Sequence, residues 1–311
     1  MSLGILAKAE INRFLKFFNL RLETLTAEKL EAARLAALVQ RGHFAGPVFP
    51  RLRLFESNGN AQLFEAIGRY RSRFDDFEDP SRNDVGYSFD NGYFSSPDAE
   101  VLYTVVREFR PRLVVEVGSG HSTRIMRQAV LDGGLHTRLI SVEPEPRVDV
   151  EGFVNKIYRM PVEKLYGDDL FRFLKEGDIL FIDSSHAIEI GNDVVFLYLI
   201  LLPELPPGVL IHIHDVFLPY DYPKEWMLPA YQGWKKPYRV RTRLREAAET
   251  VMIARRKWNE QYLVQALLMF TNSFDVLWAG HFLQRTRPDF LHHFPHWKGG
   301  TAGSLWLRKT T

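Results

Sequence analysis

The stretch Leu113-Val114-Val115-Glu116-Val117-Gly118-Ser119-Gly120-His121-Ser122-Thr123 leaves this chain few folds to choose from. A short run of strand-forming residues carrying one carboxylate enters a glycine turn, and a helical pattern begins at once. A near-continuous apolar run marks a strand buried on both faces, which is the condition of strands in parallel sheets. In open α/β sheets, ligands bind beyond the carboxyl ends of the strands, and glycine there lets a ligand approach bare backbone.

The rest of the chain repeats the alternation. Upstream, Asp98 caps a helix reaching Phe109, and Pro111 stops it before the strand. Downstream, Ser122 to Leu131 reads as a helix, Leu139 to Val142 as a strand closed by Glu143-Pro144, and Lys156 to Met160 as a weaker strand. A helix is expected around Asp168 to Lys175, a strand over Asp178 to Asp183, and a buried helix over Ile190 to Leu202. Val209 to Asp215 is a strand, Trp258 to Phe270 a helix, and Phe274 to Trp278 and Ser304 to Leu307 two last strands that form an antiparallel hairpin at the sheet edge. The pattern predicts an α/β fold: a Rossmann-like, doubly wound, mostly parallel seven-stranded sheet. The expected organisation is a helical and irregular N-terminal extension over residues 1–85 and the sheet domain over 86–311, with 216–257 inserted as a lid. Residues 42–92 are punctuated by proline and glycine and read as surface.

Composition excludes several classes. With no cysteine, disulfides, thiolate catalysis and cysteine-ligated zinc are all absent. A net charge of +2 gives no call for a polyanion, and there is no strong nucleic-acid signal. The longest apolar run, Val194 to Leu202, is about half of the roughly 20 residues a spanning helix needs. With no signal-peptide pattern either, a cytoplasmic protein is expected. Ile5, Leu6, Ile11, Phe14, Leu15, Phe18 and Leu22 alternate with Lys8, Arg13, Lys16 and Arg21. This amphipathic stripe reads as a helix packed on the main domain, with peripheral membrane or partner binding as the alternative. Self-association is compatible with all of this.

Two constellations carry chemistry. In the first, Gly118, Ser119 and Gly120 offer bare backbone, and Glu143, closing the second strand, is placed to accept hydrogen bonds from ribose hydroxyls. A dinucleotide fingerprint would need a third glycine where Thr123 stands. Glu116 suits a cationic amino group better than a pyrophosphate. Together these residues point to an adenosyl ligand. In the second, Asp183-Ser-Ser-His186 and His214-Asp215 follow two strands expected to be neighbours, so their side chains converge above the sheet. Buried His212 reads as a core residue, and the His292, His293 and His296 group as incidental.

Glu116-Val-Gly-Ser-Gly resembles the first motif of class I S-adenosylmethionine-dependent methyltransferases. Val-Gly-Ser-Gly-His-Ser-Thr, Phe181-Ile-Asp-Ser-Ser-His186, His212-Ile-His-Asp-Val-Phe-Leu-Pro-Tyr-Asp-Tyr-Pro223, Trp258-Asn-Glu-Gln-Tyr262 and Gly303-Ser-Leu-Trp-Leu-Arg308 resemble a bacterial methyltransferase-domain subfamily of undefined substrate. The resemblance implies seven strands with the last antiparallel. It implies a donor, S-adenosyl-L-methionine, held by Glu116, Gly118, Ser119, Gly120, Ser122, Thr123, Glu143 and Asp183. Similarity to metal-dependent sugar O-methyltransferases implies a hydroxyl acceptor on a saccharide or other small molecule, and His186 as general base beside catalytic Asp183. It also implies a divalent metal on Asp183, His214 and Asp215, with His214 departing from the carboxylate those enzymes carry. Imidazole at that position suits manganese, iron, nickel or zinc better than magnesium. The competing expectations are a metal-dependent hydrolase using His186, His214 and Asp215, and a non-catalytic donor-binding protein.

Overall fold

The computed structural model describes residues 3–22, 26–50, 55, 59–227 and 258–311. Its strands are Leu113–Val117 (β1), Arg138–Val142 (β2), Lys156–Tyr158 (β3), Ile179–Ile182 (β4), Leu210–Ile213 (β5), Phe274–Ala279 (β6) and Leu305–Lys309 (β7). They form one seven-stranded sheet in the order β3-β2-β1-β4-β5-β7-β6. β1 pairs in parallel with β2 and β4, and β5 continues in parallel from β4. The expected antiparallel pair lies at the far edge; within it β7 is the inner strand, antiparallel to both β5 and β6. The chain leaves β1 towards β2 and β3, then crosses back to β4, so the order reverses between β1 and β4. That switch point opens a crevice at the carboxyl ends of the two strands.

The helices are Leu3–Leu15 (α1), Thr26–Gln40 (α2), Gly59–Arg69 (α3), Asp98–Phe109 (α4) and His121–Asp132 (α5). Asp193–Phe196 begins α6, which runs through a π-helical turn at Leu197–Leu201 and closes at Leu202–Glu204. Glu260–Phe270 (α7) and Gly280–Thr286 (α8) complete the set used below. β1 is buried at every position, and α4 packs against α5. Burial and hydrogen bonding meet at Asp178, 1% exposed, whose carboxylate accepts from the Leu113 and Lys175 amides and from Arg112. It joins the starts of β1 and β4.

The chain divides into two units. The sheet unit holds Gly46–Pro223 and, among described residues, 258–311. The other holds the chain to Ala45 and Lys224–Met227; in it Phe14, Phe17 and Phe18 are exposed, with the Phe14 and Phe18 rings 5.5 Å apart.

Several expectations are corrected. The segment before residue 92 is not surface: Phe64, Ile67, Phe74, Phe77, Tyr87 and Phe89 belong to the core. Phe64 and Ile67 lie on the inner face of α3, a helix that the proline and glycine punctuation obscures, while around Tyr87 and Phe89 the Asn83 and Asn91 side chains bond the surrounding backbone and replace regular secondary structure. The helix around Asp168 is only a 3-10 turn at Phe171–Phe173, since the Asp168 carboxylate accepts from the Leu170 amide and Gly177 turns the chain at φ +81°. α6 is buried on one side only, with Leu199 and Ile200 outward. Asp98 opens α4 without capping it; its carboxylate accepts instead from the Gly303 and Ser304 amides. Of the expected lid, Val216, Phe217, Leu218 and Tyr222 are core-packed, and 228–257 lies outside the described residues. No helix among the described residues is long and apolar enough to cross a membrane.

Candidate active site

The crevice is built by two strand ends in contact. Gly118 has φ +86°, and a Cβ there would stand 1.9 Å from the Asp183 carbonyl oxygen. Only glycine lets the β1 turn pass over the end of β4. Beyond it, Gly120 faces open space, and its amide donates to Thr123 Oγ1 at 3.0 Å. The Ser119 amide faces Glu143 Oε2 at 3.4 Å across the turn, while Glu143 Oε1 accepts from the Glu145 amide at 2.8 Å. Ser119 Oγ, Ser184 Oγ and His121 Nδ1 are buried beside this turn without a hydrogen-bond partner among the described residues. Orphaned polar atoms around bare backbone are what a polar ligand would satisfy.

Glu116 sits beneath the turn, 2% exposed. Its two oxygens accept from Ser122 Oγ and Thr123 Oγ1, each at 2.6 Å. Burial, opposed by those hydroxyls, pushes the carboxyl up to about 8. Glu116, Ser122 and Thr123 therefore form a buried knot that ties β1 to the first turn of α5. At the rim, exposed Tyr93 stacks on His121 at 6.1 Å and 10°, with the Arg147 guanidinium 5.8 Å from the Tyr93 ring.

The second group gathers on the other side of Asp183. His186 Nε2 lies 3.2 Å from Asp183 Oδ1 and 3.6 Å from Asp215 Oδ2, and Nδ1 lies 2.5 Å from Glu260 Oε1. His214 Nδ1 lies 3.6 Å from Asp183 Oδ1 and 3.5 Å from Asp215 Oδ1, and its Nε2 3.5 Å from Asp98 Oδ2. Trp258 covers His186 at 4.6 Å, and Phe94 covers His214 at 5.0 Å. His186 and Asp215 both have positive φ, 61° and 58°, so the backbone is bent to aim these side chains inward.

Electrostatics follows from burial and pairing. Burial alone would lower both imidazoles, but Glu260, Asp183 and Asp215 hold His186 well above its usual value, and Asp215 and Asp183 do the same for His214. Burial would raise Asp183, but His214 and His186 hold it well below the usual carboxylate range. Burial raises Glu260 against the pull of His186. By contrast His212, stacked on Phe181 at 4.0 Å and bonded to Ser304 Oγ, is pushed well below its usual value by burial and is a core residue. His296 pairs with Asp75 and His293 with Asp289, so that group does not converge.

The structure thus brings Gly118, Ser119, Gly120 and Glu143 to one side of Asp183, and His186, His214 and Asp215 to the other. Asp183, His186 and Asp215 each turn one donor atom to within 4.8 Å of the others, a spacing one metal ion can gather. Two oxygen donors and one nitrogen donor fit a first-row divalent ion; His214, beside them, is not in that group. Glu260, Asp98 and Tyr93 went unnoticed as site residues. The signal for Glu260 was its place in Trp258-Asn-Glu-Gln-Tyr262; Asp98 carried only a helix-start signal, and Tyr93 none.

Residues 115–216 match the family model of a methyltransferase domain. The match runs from β1 to just past β5, so it takes in the glycine turn, Asp183, His186, His214 and Asp215. Among solved structures, the chain is similar to the SAH-bound methyltransferase PaMTH1 of Podospora anserina, at 16% identity over 93% of this chain and 99% of that one, TM-score 0.40. It is also similar to an SAH complex of an O-methyltransferase from Bacillus cereus, at 12% identity over 85% and 93%, TM-score 0.39. No curated protein matches the chain in sequence.

Proposed function

We propose that the protein transfers a methyl group from S-adenosyl-L-methionine to a hydroxyl of a small molecule, with a saccharide as the favoured acceptor class. The observation that carries this is the contact of Gly118 with Asp183, which sets an open glycine cradle directly against a cluster of carboxylates and imidazoles. In this reading Gly118, Ser119 and Gly120 lie along the methionyl part, and Glu143 holds the ribose hydroxyls. The orphaned Ser119 and Ser184 hydroxyls complete the cradle.

Transfer forms an O–CH3 bond as the S–CH3 bond breaks; the sulfonium leaves as a neutral thioether, and the hydroxyl gives up its proton. Alignment of the two reactants is the main contribution such a site makes. The cluster marks the way out for that proton. A base role for His186 alone needs a free lone pair at Nε2, yet that atom faces Asp183 and Asp215 while Nδ1 faces Glu260. We therefore pass the proton on to solvent at the mouth of the cluster, beside Asp183, whose side chain is 29% exposed and turns Oδ1 to both imidazoles. Asp183, His186 and Asp215 would hold a divalent metal, which when bound lowers the pKa of a hydroxyl. Carboxylates at the mouth also suit an acceptor rich in hydroxyl donors.

Calorimetry with S-adenosylmethionine and its demethylated product tests the donor half, and transfer of a labelled methyl group to a panel of sugars and phenols tests the acceptor half. Glu143→Ala is expected to weaken donor binding by about 10- to 100-fold, the loss of a charged hydrogen bond. Folded protein that binds neither ligand would sink the reading.

A further inference from the structure

We infer that the outward faces of α6 and α7 form the contact between two copies of this chain, related by a two-fold axis. This contact is independent of the reaction proposed above.

Connectivity sets the two helices side by side. α6 leads from β4 to β5, and α7 lies on the connection from β5 to β6. β4 and β5 are parallel, and β6, antiparallel to β7 as β5 is, runs parallel to β5 as well. Both crossovers step towards the same edge of the sheet, so their right-handedness puts both helices on one face. There Tyr198 of α6 donates to Glu260 of α7 at 3.2 Å.

The residues of that face are out of place at a surface. Val194 to Pro203 and Gln261 to Phe270 hold no Asp, Glu, Lys, Arg or His. A helix that is apolar all round belongs inside a protein. Yet Leu199 is 59% exposed and Phe270 82%, with Ile200 and Met269 exposed on the same two helices. On α7, Leu263, Leu267 and Phe270 recur at i, i+4 and i+7 and make one stripe, the first two half-buried against the core. A contiguous apolar patch of this kind marks an interaction surface.

Charge selects the occupant. A face that lies on a bilayer is bordered by Lys and Arg, whereas α6 is bordered by Glu189 and Asp193 before it and by Glu204 at its end. Those acids would be repelled by anionic lipid. In a two-fold contact every residue of the patch meets the same patch, so a charge at its centre would face its own copy. A patch without ionised side chains meets that demand, and its rim acids stay in water. The size fits as well. Two neighbouring helices, each about 16 Å long and about 10 Å wide, offer roughly 500–600 Å2 of accessible surface per copy. The total of roughly 1,100 Å2 is the lower end of specific interfaces, that of a dimer in equilibrium with monomer.

Sedimentation of the full chain across roughly 1–200 µM should show monomer passing into dimer. Each substitution acts twice in a two-fold contact. Phe270→Glu should therefore raise the dissociation constant by about 100-fold or more, with an unchanged unfolding midpoint. Leu199→Glu should do the same, and decides should Phe270→Glu fail to fold. Any binding to phosphatidylserine vesicles should be the same in wild type and in both variants. A monomer at every concentration, or a dimer that both variants leave intact, would overturn the inference. So would vesicle binding that Phe270→Glu abolishes, which would assign the face to a bilayer. A lowered unfolding midpoint in both variants would overturn it too, by showing that the chain covers this face itself.

Discussion

Gly118 and Gly120 stand two residues apart and do different work, which substitution can separate. At Gly118 a Cβ would strike the Asp183 carbonyl, and φ +86° is itself unfavourable for an L side chain. Gly118→Ala should cost about 3 kcal/mol or more, seen as a lower midpoint in urea unfolding. At Gly120 nothing lies within 4 Å of a Cβ. Gly120→Ala should change stability by less than about 1 kcal/mol while weakening S-adenosylmethionine binding by about 10-fold or more, because the methyl group would occupy the space of the ligand. Full donor affinity in a folded Gly120→Ala protein would show that the turn is only a connection. Glu116 belongs to the same scale. Bonded to Ser122 and Thr123 beneath the turn, it shapes the cradle from below.

Among the elements, the pairing of β1 with β4 matters most, since it sets Gly118 against Asp183. Asp178 holds that pairing at its other end through the Leu113 and Lys175 amides and Arg112. Asp178→Ala leaves buried donors unmatched and should destabilise the fold by about 2–4 kcal/mol in urea unfolding. A loss within about 0.5 kcal/mol would show the contact to be incidental. These elements were legible in the sequence because a strand buried on both faces announces itself as a short apolar run, and each ended in a recognisable turn or acid. Asp183, His186, His214 and Asp215 were legible for the same reason: each lies within a few residues of such a strand. Glu260 was not. It reaches His186 from 74 residues away along the chain, on a helix where a glutamate looks like ordinary first-turn acid. Asp98 was misread because an acid at a helix start has a local explanation, and only the fold reveals the Gly303 and Ser304 amides it serves. The aromatic stretch around Tyr87 and Phe89 escaped for a third reason, since side-chain-to-backbone bonds from Asn83 and Asn91 leave no periodicity to read there.

At the scale of the whole molecule, buried titratable groups set the response to pH. Burial pushes the Glu100 and Glu116 carboxyls up from 4.5 to about 8, and pushes His212 and His281 down from 6.5, His281 to about 4. A carboxyl that binds its proton more tightly when folded stabilises fully below 4.5, and that contribution is lost as pH climbs towards 8. A histidine that binds its proton less tightly when folded stabilises fully above 6.5 and loses that contribution as pH falls. Between 4.5 and 6.5 the two trends oppose each other and largely offset. Above 6.5 only the carboxyl trend remains, and in metal-free protein it is joined by His186 and His214, whose raised values also withdraw stability as they deprotonate. Each group contributes about 1.4 kcal/mol per pH unit, so the two carboxyls remove of order 3 kcal/mol between about pH 6.5 and pH 8. Urea unfolding of chelated, donor-free protein at about pH 6.5 and about pH 8.5 should show this decline, and Glu100→Gln should reduce it by about 1–2 kcal/mol. Equal stability at the two pH values, or an undiminished decline in Glu100→Gln, would mean that the buried carboxyls titrate as they do in the unfolded chain and that solvent reaches the core beneath the site.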